Sequence, residues 1–194
     1  MAQLSQEETR VTLTRALLFA LVARDEVSAI HCQNVSRHVR RLAEAWGLKE
    51  EERRLYHQAA LLHDVGKIGI SDRLLKSTEK YTEADREEMK QHVRIGGLLL
   101  STLGFPPTVV KGATYHHERY DGGGYLAGLA GQEIPLVARM IAVSDAFDAL
   151  TTYRRYRRPV SLTRAAEILV ESQGQFDPEV LECFIFLNTI KGHN

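Results

Sequence analysis

His63 and Asp64 stand side by side in the run H-D-V-G-K, and His116 and His117 form a second adjacent pair just ahead of a glycine-rich stretch. His31, His92 and Asp145 lie on three other segments, each with helical spacing around it. Five imidazoles and two carboxylates are the inventory of a first-row transition-metal centre. That donor set suits iron, manganese, nickel, cobalt or zinc, and the lack of thiolate ligands argues against a structural zinc site. An unpaired polar group on an inward helical face is costly, so His31, His92 and Asp145 need partners if they point inward. Spacing alone does not prove that the seven converge. A single histidine is most often a surface or satisfied core residue, and His38, His57 and His193 are read that way.

The elements that must position these groups are helical nearly throughout, and the fold class is read as all-α. Ser5 with Glu8 has the form of a capping box, opening a helix whose apolar face includes Val11, Leu18, Leu21 and Val22. A second helix is expected over 30–46, with Val35, Val39, Leu42 and Trp46 inward and Gly47 just past its end. A third, over 50–63, buries Leu55, Ala59 and Leu62. Thr82 with Asp85 starts a helix through His92, and Pro106-Pro107 precedes a short one reaching His116. The five glycines of 118–131 mark a loop. Residues 136–151 return to helical spacing, Ser161 caps another helix, and Asp177-Pro178 opens the last. No segment alternates as a strand.

Composition narrows the function classes. Lys plus Arg and Asp plus Glu number 25 each among 194 residues, so the chain has no net charge. It lacks the basic field that drives non-specific nucleic-acid binding, and any anionic ligand must be held by local charge. Cys32 and Cys183 are far apart and form no C-x-x-C pair, which fits a reducing compartment. The acidic start M-A-Q-L-S-Q-E-E is unlike a signal peptide, and the apolar run 16–23 is far short of the roughly 20 residues of a membrane span. A cytoplasmic protein is expected, with residues 1–194 as a single domain.

The longer motifs carry a resemblance. H-D-V-G-K-I-G-I-S-D at 63–72 resembles the HD phosphohydrolase motif in the form found in the HD-GYP family of cyclic di-GMP phosphodiesterases. H-H-E-R-Y-D-G-G-G-Y-L at 116–126 is similar to that family's H-H-E-x-x-D-G-x-G-Y-P signature, and the likeness continues through 128–150 and 175–180. It covers roughly 25–187, leaving 1–24 as an N-terminal helix ahead of the match. The resemblance implies an HD-domain helical bundle with a glycine-rich signature loop. It implies an enzyme, a metal-dependent phosphodiesterase opening cyclic di-GMP to linear pGpG by a hydroxide bridging two metals, with further hydrolysis to GMP left open. His31, His63, Asp64 and Asp145 would hold one ion, His92, His116 and His117 the second, with Asp64 bridging. Two divalent transition ions are implied, iron or manganese foremost, with nickel, cobalt or zinc compatible.

The same resemblance places Lys67, four residues after His63 in a glycine-containing turn, as a catalytic group on a phosphate oxygen. Thr151, Arg154, Tyr156 and Arg157 match a T-x-x-R-x-Y-R pattern, which makes Arg154 and Arg157 phosphate contacts, and Tyr125 would pack on a base or sugar. Two positions depart from the pattern. Val27 stands where some relatives carry a third metal's Glu, so two ions are expected. Leu126 replaces the signature's final Pro, and losing a residue of fixed φ is expected to loosen the loop. Cyclic di-GMP is thus the expected partner, with room for a regulatory protein and none for nucleic acid or membrane. A catalytically weak or inactive cyclic-dinucleotide sensor or protein-interaction module, or another HD-type nucleotide phosphohydrolase, stays open beside the enzyme. The oligomeric state is not legible.

Overall fold

The structure, a computed structural model, describes residues 5–77, 79–153 and 158–189. Helices joined by short turns account for the fold, with no strand among the described residues. Helix α1 (Gln6–Arg24) opens on the expected capping box: the Glu8 amide donates to the Ser5 hydroxyl at 3.2 Å, and the Ser5 amide donates to Glu8 Oε2 at 2.8 Å. Its inward face departs from expectation. Leu21 is buried and Leu13, Leu17 and Leu18 pack on the core, whereas Val11 and Val22 are exposed. Apolar residues lie nearly all round α1, so periodicity did not choose the buried arc; packing on α2 and α3 did.

Helix α2 (Glu26–Ala45) begins four residues earlier than the sequence suggested. The extended residue Asp25, at φ −152° and ψ 91°, is all that separates it from α1. It ends as expected, with Gly47 at φ +79° and the Leu48 amide donating to the Ala43 carbonyl at 3.0 Å. Helix α3 (Glu50–Leu62) leads into a 3-10 turn (Val65–Gly69) and the one-turn helix α4 (Asp72–Leu75), neither read from the sequence. Then come α5 (Glu83–Thr102) and α6 (Pro107–Tyr115), and after the glycine loop and a 3-10 turn (Gly131–Glu133), α7 (Leu136–Thr151), α8 (Leu162–Glu171) and α9 (Pro178–Thr189).

Helix α7 runs through the core, burying Val137, Met140, Ile141, Val143 and Phe147, with α2, α6, α8 and α9 packed around it. Helix α3 fits between α2 and α6, and α5 flanks α6 and the 3-10 turn. Gly66 decides that last approach. A Cβ there would lie 1.9 Å from the His92 carbonyl oxygen, so only glycine lets the turn touch α5. That contact sets Asp64 and Lys67 beside His92. No helix among the described residues is long and apolar enough to cross a membrane.

Candidate metal centre

Three of the five histidines are aimed by the same local device. His63 Nδ1 donates to the Ala60 carbonyl at 2.7 Å, His92 Nδ1 to that of Met89 at 2.7 Å, and His116 Nδ1 to that of Ala113 at 3.1 Å. Each acceptor lies three residues back along the helix. For His63 and His116 it is a carbonyl of the last helical turn, which has no amide of its own helix to accept from. A carbonyl can only accept, so Nδ1 carries the proton and Nε2 presents a lone pair. His31 differs, because both its ring nitrogens face carboxylates: Nδ1 is 2.6 Å from Asp148 Oδ2, and Nε2 must give up its proton before it can ligate.

The Nε2 atoms converge. His92 Nε2 and His116 Nε2 are 3.4 Å apart, and His92 Nε2 is 3.3 Å from Asp64 Oδ1. His63 Nε2 is 3.6 Å from Asp64 Oδ2 and has no hydrogen-bond partner although buried. His31 Nε2 lies 2.8 Å from Asp145 Oδ1. His31, His63 and Asp64 form one group of mutually close ligand atoms, and His92, His116 and His117 a second. Lone pairs facing one another across such distances in a buried site repel unless a cation lies among them, so the donors fit a metal ion. Nitrogen and oxygen donors without a thiol in either group suit divalent transition ions.

Charge follows the geometry. Burial lowers the pKa of His63, His92 and His116, the last further depressed by neighbouring imidazoles, and brings His117 to about 4. All four are therefore neutral and free to ligate near pH 7. Burial works against a charge on His31 too, but its bonds to Asp145 and Asp148 outweigh it and push the pKa up to about 9. Burial opposes ionisation of Asp64 and Asp145, yet Lys67 and the imidazoles hold Asp64 well below the usual carboxylate range, and His31 does the same for Asp145.

Every described residue of the expected site belongs to this region. Lys67 Nζ is 2.6 Å from Asp64 Oδ2, and Tyr125 stacks on His117 with centroids 5.0 Å apart. His31, Asp64, Lys67, His117, Tyr125 and Asp145 line one cavity of about 790 Å³, a size that takes a small-molecule ligand. Val27 lines it as well, offering no ligand atom. Arg154 and Arg157 lie outside the described residues. His38 packs its ring against Phe147 and Phe184, away from both groups. Two buried carboxylates had no assigned role in the sequence: Asp148, and Glu118 beside the second histidine doublet. The signal for Asp148 was its place three residues after Asp145, on the same face of a largely apolar helix.

The profile of the HD domain matches residues 7–180. The chain belongs to the HD domain family. This HD domain is 41% identical over 183 residues to the cyclic di-GMP phosphodiesterase response regulator RpfG of Xanthomonas campestris, a match covering 93% of the chain and 48% of the relative. It is 34% identical over 181 residues to the 3'3'-cGAMP-specific phosphodiesterase 2 of Vibrio cholerae, covering 92% of the chain and 35% of that protein. The chain thus spans about half the length, or less, of these curated relatives. Among solved structures, the HD domain of the L. monocytogenes phosphodiesterase PgpH, in complex with cyclic-di-AMP, superposes with a TM-score of 0.67. The likeness covers 92% of this chain and 98% of that one at 16% identity, and so concerns the fold alone.

Proposed function

We propose that this HD domain is a metal-dependent phosphodiesterase that opens cyclic di-GMP to linear pGpG. The observation that carries the reading is the pair of lone-pair clusters joined by Asp64 on a cavity that also presents Lys67. We assign His31, His63, Asp64 and Asp145 to one ion and His92, His116 and His117 to a second. Asp64 would serve both, since its Oδ2 faces His63 and its Oδ1 faces His92. Iron or manganese is the expected occupant, with nickel, cobalt and zinc compatible with the same donors. When bound, such a pair of ions supplies a water made nucleophilic at neutral pH and a clamp on the phosphoryl oxygens.

The chain's own groups do the rest. Lys67 meets a non-bridging oxygen of the scissile phosphodiester and stabilises the charge that grows there. Tyr125, its ring fixed on His117, offers a face to a base or sugar. Arg154 and Arg157 are assigned to phosphate oxygens, where a guanidinium fork suits paired acceptors. Water adds to phosphorus as the bond to the 3′ oxygen breaks; one of the water's protons ends on that oxygen and the other on the new phosphate or in solvent. The first product then carries a 5′ phosphate and a free 3′ hydroxyl, with further hydrolysis to GMP open.

Residues 1–194 are read as one domain, an assignment supported by the packing of α1 on α2, α3 and the 3-10 turn at Val65–Gly69. The two unpaired cysteines fit a cytoplasmic setting. A regulatory protein partner belongs to the same reading, since one relative is named a response regulator. The test uses protein purified anaerobically, with its metals counted on the same sample. Turnover of cyclic di-GMP in isotopically heavy water should place the label on the new 5′ phosphate of pGpG. 3'3'-cGAMP is the comparison substrate, because one relative is named for it. Protein holding two ions that binds cyclic di-GMP and releases neither pGpG nor GMP is a sensor, and the enzyme reading fails.

A further inference from the structure

We infer that Glu118 is a positioning residue for the substrate site, holding the loop that carries Tyr125 by its reach to two backbone amides; the inference rests on the reading of Tyr125 as a substrate contact. Glu118 is 4% exposed, and its Oε1 accepts from the Leu126 amide at 2.9 Å and the Ala127 amide at 2.7 Å. The Tyr125 amide donates to the His117 carbonyl at 3.3 Å. Three consecutive amides of the loop are therefore accepted by two consecutive residues of the opposing strand of chain. Gly124 makes the approach close, because a Cβ there would lie 2.4 Å from the Arg119 nitrogen and 2.5 Å from Glu118 Cα. With its backbone fixed on either side, Tyr125 lays its ring on His117 at an interplanar angle of 27°. Lys90 Nζ stands 5.4 Å from the centre of the same ring.

Glu118 is not among the residues that line the cavity, whereas His117 and Tyr125 are, so it acts through them. The arrangement also changes the meaning of Leu126. A proline has no amide proton, so the bond from Leu126 to Glu118 is one that the Pro of the resembling signature cannot make. The loosening expected from this replacement does not follow, since a hydrogen bond to a buried carboxylate ties the position instead.

The test separates reach from charge. Glu118→Gln keeps an acceptor at the same distance and loses the charge. Glu118→Asp keeps the charge and falls one methylene short of the amides. In metal-loaded protein turning over cyclic di-GMP, Glu118→Asp should raise KM about tenfold, the effect of losing a charge-assisted bond. Its kcat and metal content should stay near wild type, and Glu118→Gln, which keeps the acceptor but weakens the bonds from charge-assisted to neutral, should raise KM less than Glu118→Asp does. In a Tyr125→Ala background Glu118→Asp should add no further KM penalty, because its effect passes through that ring. Amide exchange reads the clamp without turnover: the amides of Leu126 and Ala127 should be protected in wild type and Glu118→Gln and exchange quickly in Glu118→Asp. Gln behaving worse than Asp, or additive penalties in the double variant, overturns the inference. A wild type with no turnover fails the functional reading instead. In that case unprotected amides at 126 and 127 in wild type would overturn the clamp, and protection lost only in Glu118→Asp would uphold it.

Discussion

Asp148→Asn perturbs the proposed centre without replacing any of its seven assigned ligands. The Asp148 carboxylate accepts from His31 Nδ1 at 2.6 Å on one oxygen and from the Thr152 hydroxyl at 2.9 Å on the other, and it is 3% exposed. Asparagine has the same shape and keeps an acceptor, so the fold should hold. What changes is the bond to His31, which drops from charge-assisted to neutral. Bonds to charged groups are worth about 1.5–3 kcal/mol and neutral ones about 0.5–1.5, so the loss is on the order of 1–1.5 kcal/mol, or roughly 5- to 12-fold. If the amide also turns its NH₂ toward His31, the orientation of the ring is lost, and the effect approaches the 10- to 100-fold typical of outer partners of metal ligands. The assay is competitive titration of metal-stripped protein with Mn²⁺ against a chelating dye. One ion should weaken by that factor, while the ion assigned to His92, His116 and His117 should stay within about threefold. Activity should fall at limiting Mn²⁺ and recover at saturation. Two ions bound with wild-type affinity, or two weakened equally, would refute the reasoning that Asp148 orients His31 alone.

Asp64→Ala should lose both ions together, as counted by elemental analysis, because its two oxygens face different histidine groups; retention of one ion at full occupancy contradicts the bridge. Lys67→Ala should retain its metals and lower kcat by about 10²–10³, the cost of removing one donor to a developing oxyanion, and a change confined to KM would assign the lysine to binding instead. Metal removal exposes the His31 titration. A pKa of about 9 in the folded chain against about 6.5 unfolded contributes on the order of 3 kcal/mol, fully present below pH 6.5 and lost as pH rises through 9. The melting temperature of the chelator-treated protein should therefore fall by about 6–12 °C between pH 6.5 and 9.5, and the fall should shrink in Asp148→Asn. A flat profile over that window would rule out the imidazolium between Asp145 and Asp148.

The sequence by itself determined the fold class and most helix boundaries, because each is a local matter. Ser5, Thr82 and Ser161 cap helices through bonds to amides three residues on, and Gly47 ends α2 by a backbone state that glycine adopts freely. The histidine doublet and the H-D pair pointed to a metal site through residue type and order. What it left open is equally specific. The inward face of α1 was misread because its apolar residues encircle the helix. The start of α2 was misplaced because a single extended residue, Asp25, leaves no compositional mark. The roles of Asp148 and Glu118 stayed hidden because each depends on a partner elsewhere, His31 at 117 positions' remove and the amides of a folded-back loop.

Only the tertiary structure decided that His31, His63 and Asp64 form one group of close ligand atoms and His92, His116 and His117 a second, with Asp145 against His31. Gly66 against α5, the Nδ1 bonds to carbonyls three residues back, and α7 held inside the core together bring the Nε2 atoms and carboxylates to a common centre. The physical reason is the range of the forces. Caps and turns act over three or four residues and are written in order along the chain. Convergence of lone pairs in a buried site opposes folding locally, and it is held in place by the hydrophobic core around it, which no short segment encodes.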